Sequence, residues 1–216
     1  RTAGDATPSI PFSTAAVANF MTVLDAPVPT VTLSGLPSEI LLGGTFSATV
    51  TFDNTAITGI GYGPYIDLFV PNNTLDKVTL ESANLLGHDL AISSVVYSTS
   101  VAGHLGVLGA LHPLLLDATG APPFVNAPPT AVEGGRMYVL QLPFGSFTPD
   151  QSAANVTLNF TIDKTSVVTN QHAGQLMTMG ALGGFAYGAD ALNNPSVDPG
   201  IRGTAGNTPT ESTPAN

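Results

Sequence analysis

The stretch TFSATVTFDNT, residues 45–55, indicates the fold most directly, because apolar and polar side chains alternate along it without a break. The apolar positions are Phe46, Ala48, Val50 and Phe52, and the polar positions between them are Ser47, Thr49 and Thr51. Successive side chains of a β-strand point to opposite faces of a sheet. The alternation therefore predicts a strand that buries one face and leaves the other in water.

Further runs of the same kind follow along the chain. They are VPTVTLSG (28–35), YIDLFVP (65–71), KVTLESANLL (77–86), LAISSVVYST (90–99), MYVLQLPF (137–144), NVTLNFTID (155–163) and the less regular LMTMGALGGFAYG (176–188). No long amphipathic helical pattern separates these runs, as a parallel sheet would require. The pattern predicts an all-β fold, an antiparallel sandwich of the immunoglobulin-like or jelly-roll type.

Composition along the chain divides it into three parts. Residues 1–26 form an N-terminal arm with one apolar patch, and residues 27–201 form the predicted β-sandwich domain. Within that domain, residues 98–133 are rich in Gly, Pro and Ala and are predicted to be an extended loop insertion. Residues 202–216 lose apolar periodicity and gain proline, which is typical of a tail or linker.

Charge in this chain is sparse and one-sided. Five Lys and Arg against fifteen Asp and Glu give a formal net charge of -10, so nucleic acid is excluded as a partner for lack of a cationic surface. No apolar run reaches the roughly 18 residues of a membrane span. The chain has no Cys, which excludes disulfides and thiolate metal sites. Few charges with abundant Thr, Ser, Asn and Gly indicate an extracellular or cell-surface location.

Motifs for catalysis are missing from the sequence. The histidines His88, His104, His112 and His172 show no HExxH spacing, and neither a GxSxG nor a phosphate-binding glycine loop is present. These observations predict that the chain is not an enzyme.

One acidic loop has the composition of a calcium site. Between Gly188 and Gly200 the loop GADALNNPSVDPG offers Asp190, Asn193, Asn194 and Asp198 within nine residues, stiffened by proline. Calcium binds six to eight oxygens from carboxylates, amides and main-chain carbonyls. The loop is a candidate calcium site, with Asp67 as a further ligand from the neighbouring sheet, while plain turn formation is the alternative.

The segment GIGYGPYIDLFVP, residues 59–71, combines three glycines with an acid in an apolar strand. Glycines at this position suggest a corner where the chain bends. Asp67 lies between Ile66 and Leu68, and a carboxylate buried in such a strand requires a partner.

Four segments together resemble the conserved-repeat immunoglobulin-like domains of large secreted bacterial cell-surface proteins. They are PTVTLSGLPSEILLGGTFSATVTFDNTA (29–56), GYGPYIDLFVP (61–71), NVTLNFTID (155–163) and GGFAYGADALNNPSVDP (183–199). The resemblance implies a structural or adhesive role outside the cell, calcium at loops and no catalysis.

Three functions are compatible with these observations. The first is a noncatalytic extracellular module that is structural or adhesive and contacts neighbouring copies or modules of the same protein. The second is the subunit of a self-assembling fibre, in which the apolar arm residues 15–24 complete a neighbour's sheet. The third is a carbohydrate-binding module that stacks surface glycans on Tyr62, Tyr65, Tyr97 or Phe185.

Overall fold

A computed structural model describes residues 26–70, 78–116, 121–129, 131–162, 176–187 and 210–211. Thirteen strands lie within these ranges: β1 (Pro29–Ser34), β2 (Thr45–Asn54), β3 (Gly61–Val70), β4 (Val78–Leu85), β5 (His88–Asp89), β6 (Ile92–Val96), β7 (Gly109–Leu111), β8 (Phe124–Asn126), β9 (Arg136–Gln141), β10 (Ser146–Phe147), β11 (Ala154–Ile162), β12 (Gly180–Tyr187) and β13 (Thr210–Glu211). All pairings between them are antiparallel, and the described residues contain no helix. The prediction of an all-β antiparallel sandwich is confirmed.

The first layer is a five-stranded sheet in the order β1-β2-β11-β4-β5. In β2 the burial alternates as the sequence predicts, with Ala48, Val50 and Phe52 inside and the residues between them partly exposed. The neighbouring β11 repeats the pattern, because Val156, Leu158 and Phe160 are buried and the intervening polar residues are not. The sheet therefore has one apolar and one polar face.

The second layer is a six-stranded sheet in the order β13-β12-β3-β9-β6, with β10 also paired to β3. Its inner face packs against the five-stranded sheet, and this main core joins Ile66, Leu68 and Leu140 to Val50 and Leu158. Unlike β2, the strand β3 is buried on both faces over residues 64–70. Something must therefore cover the outer face of this sheet.

The cover consists of residues 97–116, 121–129 and 131–135, which include the hairpin of β7 and β8. It corresponds to the predicted loop insertion and closes a second apolar core against the outer face of the six-stranded sheet. Tyr97 fixes the beginning of the cover, because its hydroxyl donates to the Val70 carbonyl at 3.0 Å. The insertion is thus a packed layer of the fold.

The glycines of the 59–71 segment have separate roles. Gly63 has a φ of 61°, in the left-handed region that favours glycine, and it lies where β3 changes partner from β10 to β9. A Cβ at Gly61 would lie 2.3 Å from the Phe185 ring. Gly63 permits the change of direction, and Gly61 permits the close packing of Phe185.

The two ends of the chain are mostly outside the described residues. The predicted arm falls there except for Ala26, and so does the predicted tail except for Thr210–Glu211, which pairs with β12. Among the described residues, no helix has the length and apolarity that crossing a membrane requires.

Candidate functional site

Asp67 lies at the centre of the six-stranded sheet, with its side chain in the second core. On β3 it is paired with Leu182 of β12 on one side and Val139 of β9 on the other. Its exposed fraction is 0%. The cover lies directly above it.

The partner that the sequence demanded for Asp67 is His112, which follows β7 in the cover. Nε2 of His112 is 3.1 Å from Oδ1 of Asp67, and both side chains are fully buried. Nδ1 of the same ring accepts the backbone N–H groups of Leu114 at 3.2 Å and Leu115 at 3.1 Å. A neutral imidazole carries one N–H, so the proton is on Nε2, which donates to Asp67.

The carboxylate is only half satisfied by this bond. Within the part of the chain that the structure describes, Oδ2 of Asp67 has no hydrogen-bond partner. Burial raises the pKa of Asp67 above its ordinary value of 3.8, and the hydrogen bond from His112 acts in the opposite direction. The net direction is upward, because a buried charge that retains one free oxygen is poorly solvated.

The surroundings of the pair are almost entirely apolar. The Tyr65 ring lies edge-on to the His112 ring with centroids 5.0 Å apart. The remaining members of the second core are Phe69, Tyr97, Ala110, Leu115, Val125, Met137, Val139 and Leu182. Burial raises the pKa of Tyr97 to about 12, so this phenol stays neutral at ordinary pH.

Of the five predicted calcium ligands, the structure describes Asp67 alone. Asp190, Asn193, Asn194 and Asp198 all lie outside the described residues. The described ranges hold no group of three or more His, Cys, Asp or Glu side chains arranged to bind a metal ion. Calcium binding by the loop stays a prediction, and Asp67 is the hydrogen-bond partner of a histidine.

The predicted aromatic platform for glycans is wrong for three of its four members. Tyr65, Tyr97 and Phe185 are 2%, 1% and 0% exposed. A ring that stacks on a sugar must present its face to solvent, and these rings fill the two cores. Only Tyr62, on β3, keeps part of its surface accessible.

A second candidate site is the outer side of the five-stranded sheet, where hydroxyl and amide side chains form rows across neighbouring strands. We call this surface the polar face. The rows are Thr32, Thr51 and Asn155; then Ser34, Thr49, Thr157 and Asn84; then Ser47, Asn159 and Ser82. The aromatic side chains of these strands, Phe46, Phe52 and Phe160, belong to or pack against the main core.

Hydrogen bonds join side chains within two of these rows. Thr51 donates to Oδ1 of Asn155 at 2.7 Å. Ser47 donates to Oδ1 of Asn159 at 2.7 Å, and Nδ2 of Asn159 donates to Ser82 at 2.9 Å. These bonds connect side chains of neighbouring strands on the polar face.

A shallow pocket of about 520 Å³ lies at one end of the polar face. Its lining combines the polar side chains of Thr45, Ser47, Glu81, Asn159 and Thr161 with the rings of Phe46 and Phe160. A register shift between β11 and β4 leaves Glu81 as the extra residue of a bulge. Its carboxylate accepts the Thr161 hydroxyl at 2.6 Å, which places an acid at the rim of the array.

Comparisons with known proteins give little similarity. No family model and no curated protein matches the chain. One similar solved structure is described as "AvmM Catalyzes Macrocyclization in Alchivemycin A Biosynthesis", with 12% sequence identity, 87% of each chain covered and a TM-score of 0.35.

Two expectations are corrected by this finding. The expected noncatalytic extracellular module and the expected absence of enzymatic activity are contradicted, because the similar structure is of a protein that catalyses macrocyclization. At a TM-score of 0.35 the similarity assigns no activity to this chain. Neither a structural or adhesive module nor the absence of enzymatic activity is proposed for this chain.

Proposed function

We propose that the chain binds neutral, hydroxyl-bearing ligands on the polar face of the five-stranded sheet. The observation that supports this most is the set of hydrogen-bonded rows, in which the Ser47–Asn159–Ser82 chain spans β2, β11 and β4. Surface glycans are the ligand class that presents hydroxyl groups at comparable density.

Strand geometry gives the polar face a regular spacing. Neighbouring strands lie about 4.8 Å apart, and alternate residues of one strand are about 6.7 Å apart. Thr49 and Thr157 lie at the middle of this lattice, directly opposite each other on β2 and β11. An extended polymer with repeating hydroxyl groups can contact several rows at once.

Charge on the polar face favours an uncharged ligand. The strands β1, β2, β4, β5 and β11 contain no Lys or Arg. Their acids lie around the rows, with Asp53 at one end, Glu81 at the other and Asp89 on the edge strand β5. Anionic polymers would meet repulsion at this boundary, whereas neutral ones would not.

Binding by hydrogen bonds alone is weak. Each bond exchanged with water contributes about 1 kcal/mol net, so three or four contacts give a Kd of about 1 mM. Preordered side chains reduce the entropy lost on binding, and repeated contacts along a polymer raise the apparent affinity. The low fraction of charged residues, 9%, supports an extracellular location, where such polymers are found.

The proposal is tested by cosedimentation with insoluble neutral polysaccharides, namely cellulose, chitin and starch, and with an anionic polygalacturonate gel as comparison. We expect binding to at least one neutral polymer, and its loss in the Thr49→Val, Thr157→Val double variant. Valine keeps the shape of threonine and replaces its hydroxyl with a methyl group. Ser93→Ala, which removes a hydroxyl from β6 on the other sheet, is the control and is expected to bind normally.

Two results would overturn the proposal. One is the absence of binding to every neutral polymer while the protein is folded. The other is equal binding by the wild-type protein and the double variant, which would place the contact elsewhere on the surface.

A further inference from the structure

The Asp67–His112 pair links the cover to the six-stranded sheet through the middle of an apolar layer. Both partners are fully buried, and they lie on separate parts of the chain, in β3 and directly after β7. Because the ring also accepts two backbone N–H groups, His112 organises the cover's own turn at the same time. Any change in the pair is therefore transmitted directly to the cover.

A buried pair of this kind contributes little to stability. Desolvating a carboxylate costs as much as its single good hydrogen bond returns, and apolar residues of similar volume often serve a fold as well or better. Here the balance is less favourable still, since Oδ2 of Asp67 has no hydrogen-bond partner among the described residues. The sequence thus keeps a titratable group where packing alone would place Leu or Val.

We propose that Asp67 and His112 form a pH-sensitive latch: the cover is held most firmly when Asp67 carries a proton, and it opens more readily as Asp67 ionises. Opening would separate His112 from Asp67 and expose the carboxylate to water. It would also expose the apolar outer face of the six-stranded sheet, including Phe69 and Leu182.

The direction of the effect follows from where the proton is bound more tightly. Burial raises the pKa of Asp67 in the closed state, whereas in the open state the group returns to near 3.8. The closed state is therefore favoured fully below 3.8, and that advantage is lost as pH rises through the closed-state pKa. Between the two values the opening constant increases by up to tenfold per pH unit.

Other groups near the pair do not supply this dependence. The titratable side chains that the described elements contribute to the second core, besides the pair itself, are Tyr65 from β3 and Tyr97 from the cover. From β9 and β12 the residues paired with Asp67 are Val139 and Leu182, which carry no charge. Glu133 is exposed and accepts the Thr99 N–H at 2.8 Å, away from the second core.

Hydrogen exchange of backbone amides between about pH 4 and pH 8, corrected for the intrinsic exchange rate, measures the opening of the cover directly. Amides of β7 and β8 are expected to lose protection as pH rises and then to level off. The Asp67→Asn variant keeps an oxygen that accepts the His112 proton but cannot ionise, so its β7 and β8 amides are expected to show no such loss. Asp150→Asn, an exposed acid outside both cores, is the charge-matched control and is expected to behave as the wild-type protein.

Three outcomes would overturn the latch. They are protection of β7 and β8 that does not change with pH in the wild-type protein, an unchanged slope in Asp67→Asn, and opening on acidification. If Asp67→Asn does not fold, a carbon-13 titration of the wild-type Asp67 carboxyl decides, because a pKa at or below 3.8 contradicts the proposal. The polar face lies on the opposite sheet, so these results are independent of ligand binding there.

Discussion

The side chains of Ser47 and Asn159 are joined by a 2.7 Å hydrogen bond across β2 and β11, and Nδ2 of Asn159 donates a second bond to Ser82 of β4. One amide thus connects three strands on the outside of the five-stranded sheet. Because its oxygen accepts and its nitrogen donates, Asn159 fixes the orientation of both neighbouring hydroxyls.

Asn159→Ala is expected to weaken binding to a neutral polymer by about tenfold, since the two serines lose their fixed orientation. Its cost in unfolding free energy should be small, about 1 kcal/mol, because the bonds lie at the surface. Cosedimentation and urea denaturation measure the two effects. Asn155→Ala, which breaks only the bond from Thr51, is the matched comparison. It should lose less affinity for the polymer and less unfolding free energy. Wild-type affinity in Asn159→Ala would contradict the role of Asn159 in orienting the two serines.

His112→Ala is expected to destabilise the fold by about 3–5 kcal/mol above the pH at which Asp67 ionises, because it then leaves a buried carboxylate without its donor. The same change in an Asp67→Asn background should cost less, since no charge is then stranded. Denaturant unfolding of the four proteins of this double-mutant cycle gives the coupling energy. Equal costs in the two backgrounds would mean that the pair carries no electrostatic coupling.

The stability of the wild-type protein relative to Asp67→Asn is expected to fall as pH rises from about 4 toward neutrality. The wild-type carboxylate gives up a proton that the fold holds more tightly than the unfolded chain does, so ionisation favours unfolding. Each unit by which the folded pKa exceeds 3.8 corresponds to about 1.4 kcal/mol. Chemical denaturation of both proteins at several pH values measures this difference. If the stability of the wild-type protein relative to Asp67→Asn rises with pH instead, the pKa of Asp67 is lowered by folding.

Gly135→Ala is expected to destabilise the protein by about 1–3 kcal/mol through the cover. A Cβ at this position would lie 1.9 Å from the Tyr97 hydroxyl, which donates to Val70. The ring must move, and this bond would be lost or strained. Gly145→Ala meets no atom within 4 Å and is the control, with little change expected in the melting temperature. Equal melting temperatures for both variants would contradict the tight packing at Tyr97.

The strands of the five-stranded sheet, which is apolar on one face only, could be predicted from the sequence alone. In β2 and β11 the alternation is unbroken, so both the strands and their buried face could be predicted. β3 was harder, because both of its faces are covered and its aromatic residues carry no sign of which surface they meet. The glycan platform was wrong at Tyr65 for this reason. It was wrong at Tyr97 and Phe185 because these rings, in the cover and in β12, also fill the two cores.

The contacts that form the two candidate sites depend on tertiary structure, so the sequence did not predict them. The need of Asp67 for a partner was visible from Ile66 and Leu68 on either side, but His112 is 45 positions away in sequence and reaches it only through the fold of the cover. Likewise, the threonines and asparagines of the polar face are evident in each strand. Their arrangement in rows depends on strand order and register, which the sequence does not specify.

Mapping of backbone amide shifts in a nitrogen-15 labelled sample, titrated with soluble oligosaccharides of the neutral polymer that the protein binds, tests the polar face most directly. Perturbed amides should cluster in β1, β2, β11 and β4, centred on Thr49, Thr157 and Asn159, and leave β3, β9 and the cover unchanged. Perturbations that cluster on the six-stranded sheet or on the cover, or their absence at saturating ligand, would contradict ligand binding at the polar face.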